Sequence, residues 1–214
     1  MEALAPPAPP HSPEPFVPKK FVLGPRVVRP LANGMRQLFG EDVARVKTAV
    51  GDGFGPNEQP NLQLKLLQDS IVEATGIMDD LFDKKLKGAA KLKIDRKTLS
   101  TGKLEVVSQS STPPSVGEIT VQGEDLEAFK TAFNDALRGT VSRLRILEMV
   151  ETGRFGEFSQ EAKDHAKRIL EATTGFSDKL QDLHDATRIK LTTDAEHNTT
   201  IEVLDRTEPK DQSA

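Results

Sequence analysis

Apolar positions recur along the chain with two periods, and their order predicts the architecture. After a short strand at 20–23 (Phe21, Val22, Leu23), helical spacing takes over across 31–50, at Leu31, Met35, Leu38, Phe39, Val43, Val46 and Val50. Gly51 to Pro56 breaks that helix. A longer one is predicted over 61–87. Its stripe of Leu64, Leu67, Ile71, Ala74, Met78 and Leu81 has 3,4,3,4,3 spacing, widened by Phe82 and Leu86. About three heptads make a short coiled-coil seam, so its expected role is a helical hairpin inside one domain. Alternation over Lys91–Asp95 and Lys103–Val107, with Ser100, Thr101 and Gly102 between, predicts a β-hairpin.

The same order then repeats. A strand near 117–121, helices at 124–150 and 158–186, and a hairpin pairing 188–192 with 200–204 complete a second set. Ile71 to Thr75 recurs as Ile169 to Thr173, an offset of 98, and Leu31, Met35, Phe39 and Val46 match Phe129, Phe133, Leu137 and Leu144. Near the ends of the copies the offset slips to 97, where Leu92, Ile94, Leu104 and Val106 match Ile189, Leu191, Ile201 and Val203. The reading is α+β: a tandem duplication of a β-α-α-β-β unit, each with a helical hairpin on a small antiparallel sheet. The expected division is an arm at 1–15, repeats at 16–107 and 115–207, a linker at 108–114 and a polar tail at 208–214.

Charge separates the halves. Residues 1–110 hold 16 Lys+Arg against 13 Asp+Glu, and residues 111–214 hold 13 against 20. Opposite charge on related surfaces favours head-to-tail association or docking of the copies on each other. The basic run at 84–103 faces an acidic stretch at 182–202 in the alignment, so charges are expected to diverge while the scaffold recurs. With no Cys, the chain has no disulfide, thiol nucleophile or thiolate metal site. No apolar run reaches the roughly 20 residues that span a bilayer, and Met1 to Ala5 lacks the form of a signal peptide. The expected location is cytoplasmic or inside a virion.

Nine of the fourteen prolines lie in residues 1–30. That density predicts an extended arm and excludes a helix there. Pro15, Phe16, Val17 and Pro18, followed by Lys19 and Lys20, have the form of a ligand for aromatic proline-binding grooves.

Candidate chemistry is sparse. The glycines at 51–55 follow a helix instead of opening one, so they terminate it and cradle no phosphate. Asp79, Asp80 and Asp83 share a helical turn with Lys84, Lys85 and Lys87 nearby, which predicts a solvated charged face. His165 and His184 are nineteen residues apart on one helix, roughly 28 Å, and cannot share a metal. No cofactor or metal motif is found. Residues 84–103 carry eight basic residues and one acid, Asp95; Lys91 and Lys93 are expected on the solvent face of the hairpin. The run holds no aromatic side chain on which bases could stack.

The reading is therefore a non-enzymatic structural or assembly protein, making protein contacts or self-associating in a large complex such as a virion. The candidate partner-binding residues are Pro15, Pro18, Lys19, Lys20, Lys84, Lys85, Lys91, Lys93, Arg96 and Lys97. The alternative is a regulatory adaptor that binds an acidic protein, or less readily nucleic acid, through the arm and the basic hairpin.

Overall fold

Among the described residues, hydrophobic alternation and helical stripes fold into four helices and two three-stranded antiparallel sheets. The computed structural model describes residues 17–51, 62–154 and 157–207, so most of the proline-rich arm, Pro15 included, and the tail at 208–214 lie outside the described residues. In the first half, β1 (Lys19–Leu23) leads into α1 (Pro25–Gly51). Next come α2 (Leu62–Asp79), β2 (Ala89–Arg96) and β3 (Gly102–Gln109). The second half repeats this with β4 (Gly117–Gln122), α3 (Gly123–Glu151), α4 (Gln160–Asp185), β5 (Ala186–Thr193) and β6 (Thr199–Arg206).

The sheets are ordered β1-β2-β3 and β4-β5-β6, and their registers correspond residue by residue. Leu23–Leu92–Val106 and Phe21–Ile94–Leu104 form the inward rows of the first. Val121–Ile189–Val203 and Ile119–Leu191–Ile201 form those of the second. Even the irregularities match: a bulge follows Ala89 in β2 and Ala186 in β5. The backbone bonds from Ser110 N to Gly88 O and from Thr207 N to Asp185 O then close the two hairpins alike.

The slip of the offset from 98 to 97 has a structural cause. After Asp79 the helix continues as a wider π-helical turn, Asp80–Lys85, ended by a bond from Leu86 N to Leu81 O. Such a turn holds an extra residue within a helix. Upstream of it Met78 and Phe176 correspond at 98; beyond it the buried Leu86 and Leu183 correspond at 97. Among the described residues the second half has no such turn, and α4 runs unbroken to Asp185.

Two expectations need correction. The proline-rich stretch does not stay extended to residue 30, because α1 starts at Pro25 and carries Pro30 inside it. Proline's fixed φ suits a first helical position, where its missing N–H has no intrahelical partner. Pro30 sacrifices one bond, to the carbonyl of exposed Arg26, and buries its ring in exchange. The second correction concerns the helical hairpin of the first half. α3 and α4 pack on each other as expected, but α2 lies chiefly along α3 of the other half and only marginally along α1, which lies along α4. α1 also crosses onto β6 and, reciprocally, α3 onto β3. The reason is the width of the apolar faces. Val28, Leu31, Met35, Phe39, Asp42 and Val46 on α1, and their counterparts Leu126, Phe129, Phe133, Leu137, Thr140 and Leu144 on α3, are all buried. One helix and three short strands could not cover so much surface.

The halves thus share one core. At its centre the Phe39 ring lies 5.6 Å from Phe82, 5.9 Å from Phe133 and 5.1 Å from Phe176, centroid to centroid. A smaller cluster joins Ile71 of α2 to Leu144, Leu147, Phe158 and Ile169. The reciprocal crossings need small residues. A Cβ on Gly34 of α1 would lie 2.8 Å from Ile201 Cγ1 of β6. At the corresponding crossing the glycine is on the strand: a Cβ on Gly102 would lie 3.3 Å from the Ala132 backbone of α3. Gly34→Ala should therefore destabilise the protein by up to about 2 kcal/mol, the overpacking cost of about 1–3 kcal/mol less a helix-propensity gain of about 1 kcal/mol. A fall in melting temperature, followed by circular dichroism, is the expected readout.

Candidate functional site

Alternation along β2 sends Leu92 and Ile94 into the core and leaves Lys91, Lys93 and Asp95 on the outer face of the first sheet. The register flanks them with β1 and β3 in two rows, Lys20–Asp95–Lys103 and Val22–Lys93–Glu105. Lys93 and Glu105 pair at 3.6 Å. Val22 and Val107 stand 60% and 50% exposed on the same face. The face therefore combines four lysines and two carboxylates with two apolar side chains open to water.

The second sheet has the same geometry and different chemistry. Glu118, Thr120, Arg188, Lys190, Thr192, Thr200, Glu202 and Leu204 take the corresponding outer positions. One charge pair does recur: Lys190 and Glu202 lie 2.7 Å apart, matching Lys93 and Glu105. The expectation that charges diverge throughout is corrected to that extent. Both pairs face each other across neighbouring strands, where opposite charges add to pairing. The hydrogen bond to Glu202 raises the Lys190 pKa above the usual lysine range.

The ten predicted partner-binding residues do not form one ribbon. Pro15 lies outside the described residues, and Pro18 precedes β1 in exposed coil. Lys20, Lys91 and Lys93 share the sheet face. Lys84 and Lys85 sit on the π turn, 3.9 and 2.7 Å from Asp80. The bond from Lys85, with the charges of both lysines, holds the Asp80 carboxyl below the usual range. Lys19 pairs with Glu124 at 2.6 Å, and that bond, with the nearby Arg96 charge, lowers the Glu124 pKa. Lys97 lies in the exposed β2–β3 turn. Arg96 is on the inward side of β2 because the pleat alternates. Both depressed carboxylates contribute stability above the ordinary carboxylate range and lose it as pH falls through their lowered values.

Net charge does not dock the halves. Of the three ion pairs that join them among the described residues, Lys19–Glu124 has the sign that the half-charges suggest. Glu73–Arg143 and Asp42–Lys179 have the reverse. Local geometry and the shared core decide the interface.

The other candidates disperse. Asp79 pairs with Lys47 at 2.5 Å and raises the lysine's pKa. His165 is buried on α4, His184 lies 3.2 Å from Asn134 near its end, and His197 occupies the β5–β6 loop; His11 is outside the described residues. Among the described residues no cluster of three or more His, Asp or Glu is placed to hold a metal ion, and no helix is long and apolar enough to cross a membrane. Sequence reasoning missed Val22 and Val107. Their signal was available: each is an apolar residue at an outward position of an alternating strand. Comparison with known protein families, curated proteins and solved structures finds no match for this chain.

Proposed function

We propose that the chain is a non-enzymatic assembly protein that docks through the outer face of its first sheet, as a component of a large complex such as a virus particle. The observation that carries this reading is the contrast between corresponding faces. The first presents Lys20, Lys91, Lys93, Lys103, Val22 and Val107, where the second presents Glu118, Arg188, Lys190 and Thr200 with Thr120 and Leu204. Two sheets of one geometry whose outer residues differ in this way are suited to different neighbours. The partner is an acidic protein surface or another copy of the chain.

Lys20→Glu with Lys91→Glu and Lys93→Glu should weaken association at least tenfold, read by sedimentation velocity of the chain alone and with partners copurified from its source. Circular dichroism should stay unchanged, because all three side chains lie outside the core. Undiminished association would overturn the reading. Removal of the arm should stop at residue 16. A cut at residue 30 would also take Leu23 and Val28, which are buried, and would confound loss of assembly with loss of fold. The adaptor alternative predicts salt-dependent retention on nucleic acid that the same substitutions abolish. The absence of any aromatic residue from the face argues against it.

A further inference from the structure

A second feature, independent of the sheet face, lies where the halves meet. A cleft of about 200 Å³ opens between α1, the segment joining β3 to β4, and the β5–β6 loop. Arg29, Asn33 and Arg36 line it from one face of α1, Ser110 to Pro114 from the connecting segment, and His197 from the far half. No Asp or Glu is among its described lining residues.

Three observations give the cleft a chemistry. First, neither Arg29 nor Arg36 makes an ion pair with a described residue, so both guanidinium charges remain uncompensated at the cleft. Both are anchored by neutral acceptors instead: Arg36 Nε donates to the Phe82 carbonyl at 3.0 Å, and Arg29 Nη2 donates to Ser110 Oγ at 3.1 Å. The Phe82 carbonyl belongs to the π turn, a kind of irregularity frequent at functional sites. Second, Ser110 Oγ also accepts from Thr112 N at 3.1 Å. Both its lone pairs are used, so the hydroxyl proton is left to be donated to an acceptor. Third, the field is reinforced from both sides. Arg26 lines an adjoining depression that shares Arg29, and Lys84 and Lys87 line another that shares Gly88, Ser110 and Ser111. Those depressions contain one acid each, Glu118 and Asp83, so the balance across the three stays positive.

We propose that this cleft binds a small phosphate-class oxyanion, held by the guanidinium groups of Arg29 and Arg36 and by the Ser110 hydroxyl. Planar guanidinium forks match phosphate oxygens in pairs. The His197 ring is positioned at the end of the cleft by a bond from its Nδ1–H to the Pro114 carbonyl at 3.0 Å. Because Arg29 and Arg36 of α1 meet Ser110 only in the folded chain, a bound anion would stabilise that fold by mass action.

Calorimetric titration of the full chain with inorganic phosphate and with pyrophosphate, against chloride at equal ionic strength, tests this. One saturable site is expected. Arg36→Gln should weaken it at least tenfold. Ser111→Asp, at an exposed position on the rim that leaves the fold intact, should do the same by placing a carboxylate in the cleft. Lys93→Glu on the outer sheet face should leave it unchanged. Absence of saturable binding, binding unaffected by Ser111→Asp, or equal loss with Lys93→Glu would each overturn the assignment. Preference for pyrophosphate over phosphate would mark a ligand with two phosphoryl groups; equal affinity would mark a single one.

Discussion

Phe39→Ala should cost about 3–5 kcal/mol and loosen both halves together. Phe39 is fully buried, and its ring meets Phe82 of its own half and Phe133 and Phe176 of the other. Truncation leaves a cavity walled by both halves, so neither can relax alone to fill it. Against a total stability of roughly 0.05–0.15 kcal/mol per residue, this is a large fraction. The chain has neither Trp nor Tyr, so unfolding is best followed by far-ultraviolet circular dichroism, with hydrogen exchange resolving the halves. A single transition with equal loss of protection in both is expected. A companion experiment sharpens the point. The fragment 17–109 alone should give little helical signal at micromolar concentration, because the faces that α1 and β3 turn toward α4, β6 and α3 would be wet. Separate transitions, or a folded monomeric fragment, would show that each half has a core of its own.

That interdependence marks the boundary of what the sequence discloses. The strands were legible because period-two alternation names the inward residues, and Leu92, Ile94, Leu104 and Val106, like Ile189, Leu191, Ile201 and Val203, meet as register partners on the inward faces. The one-residue slip of the offset was legible from Leu92 and Ile94 onward, but the π turn that causes it was not, because helical periodicity runs through 61–87 without a break. Which helix covers which was not. Periodicity says that Leu31, Met35 and Phe39 face something apolar and is silent on whose residues those are. Proline content misled near α1, where Pro25 and Pro30 act through position and outweigh composition. The arginine cleft had no spacing signal at all, since Arg29, Ser110 and His197 meet only through the fold. Asp42 did leave a trace: it is a lone carboxylate on the stripe of Phe39 and Val46, at the offset of buried Thr140.

Lys179→Leu should be the most damaging surface-accessible change, and its rescue is written in the opposite interface. The Asp42 side chain is 1% exposed and Lys179 is 35% exposed. The ammonium lies 2.5 Å from Asp42 Oδ2 and also donates to the Leu38 carbonyl at 2.8 Å. Arg45 approaches the other carboxylate oxygen only to 3.7 Å. Gly175 makes room for the pair, since a Cβ there would stand 2.8 Å from Asp42 Oδ1. Removing the lysine strands a buried carboxylate, a change that costs about 3–5 kcal/mol. The reverse single change, Asp42→Thr, should cost less, because the half-exposed ammonium can turn to water. At the same offset in the other half the two positions are Thr140 on α3 and Leu81 on the π turn, both buried, with the Thr140 hydroxyl donating to the Ala74 carbonyl of α2 at 3.2 Å. Combining Asp42→Thr with Lys179→Leu imports that solution. The double variant should lie within about 1.5 kcal/mol of the parent, as buried ion pairs replaced by packed neutral residues often do. The coupling energy from denaturant unfolding of all four proteins is the measurement. If the double variant loses the sum of the single losses, the pair is not acting as a unit, and the two interfaces are not interchangeable solutions to one packing problem.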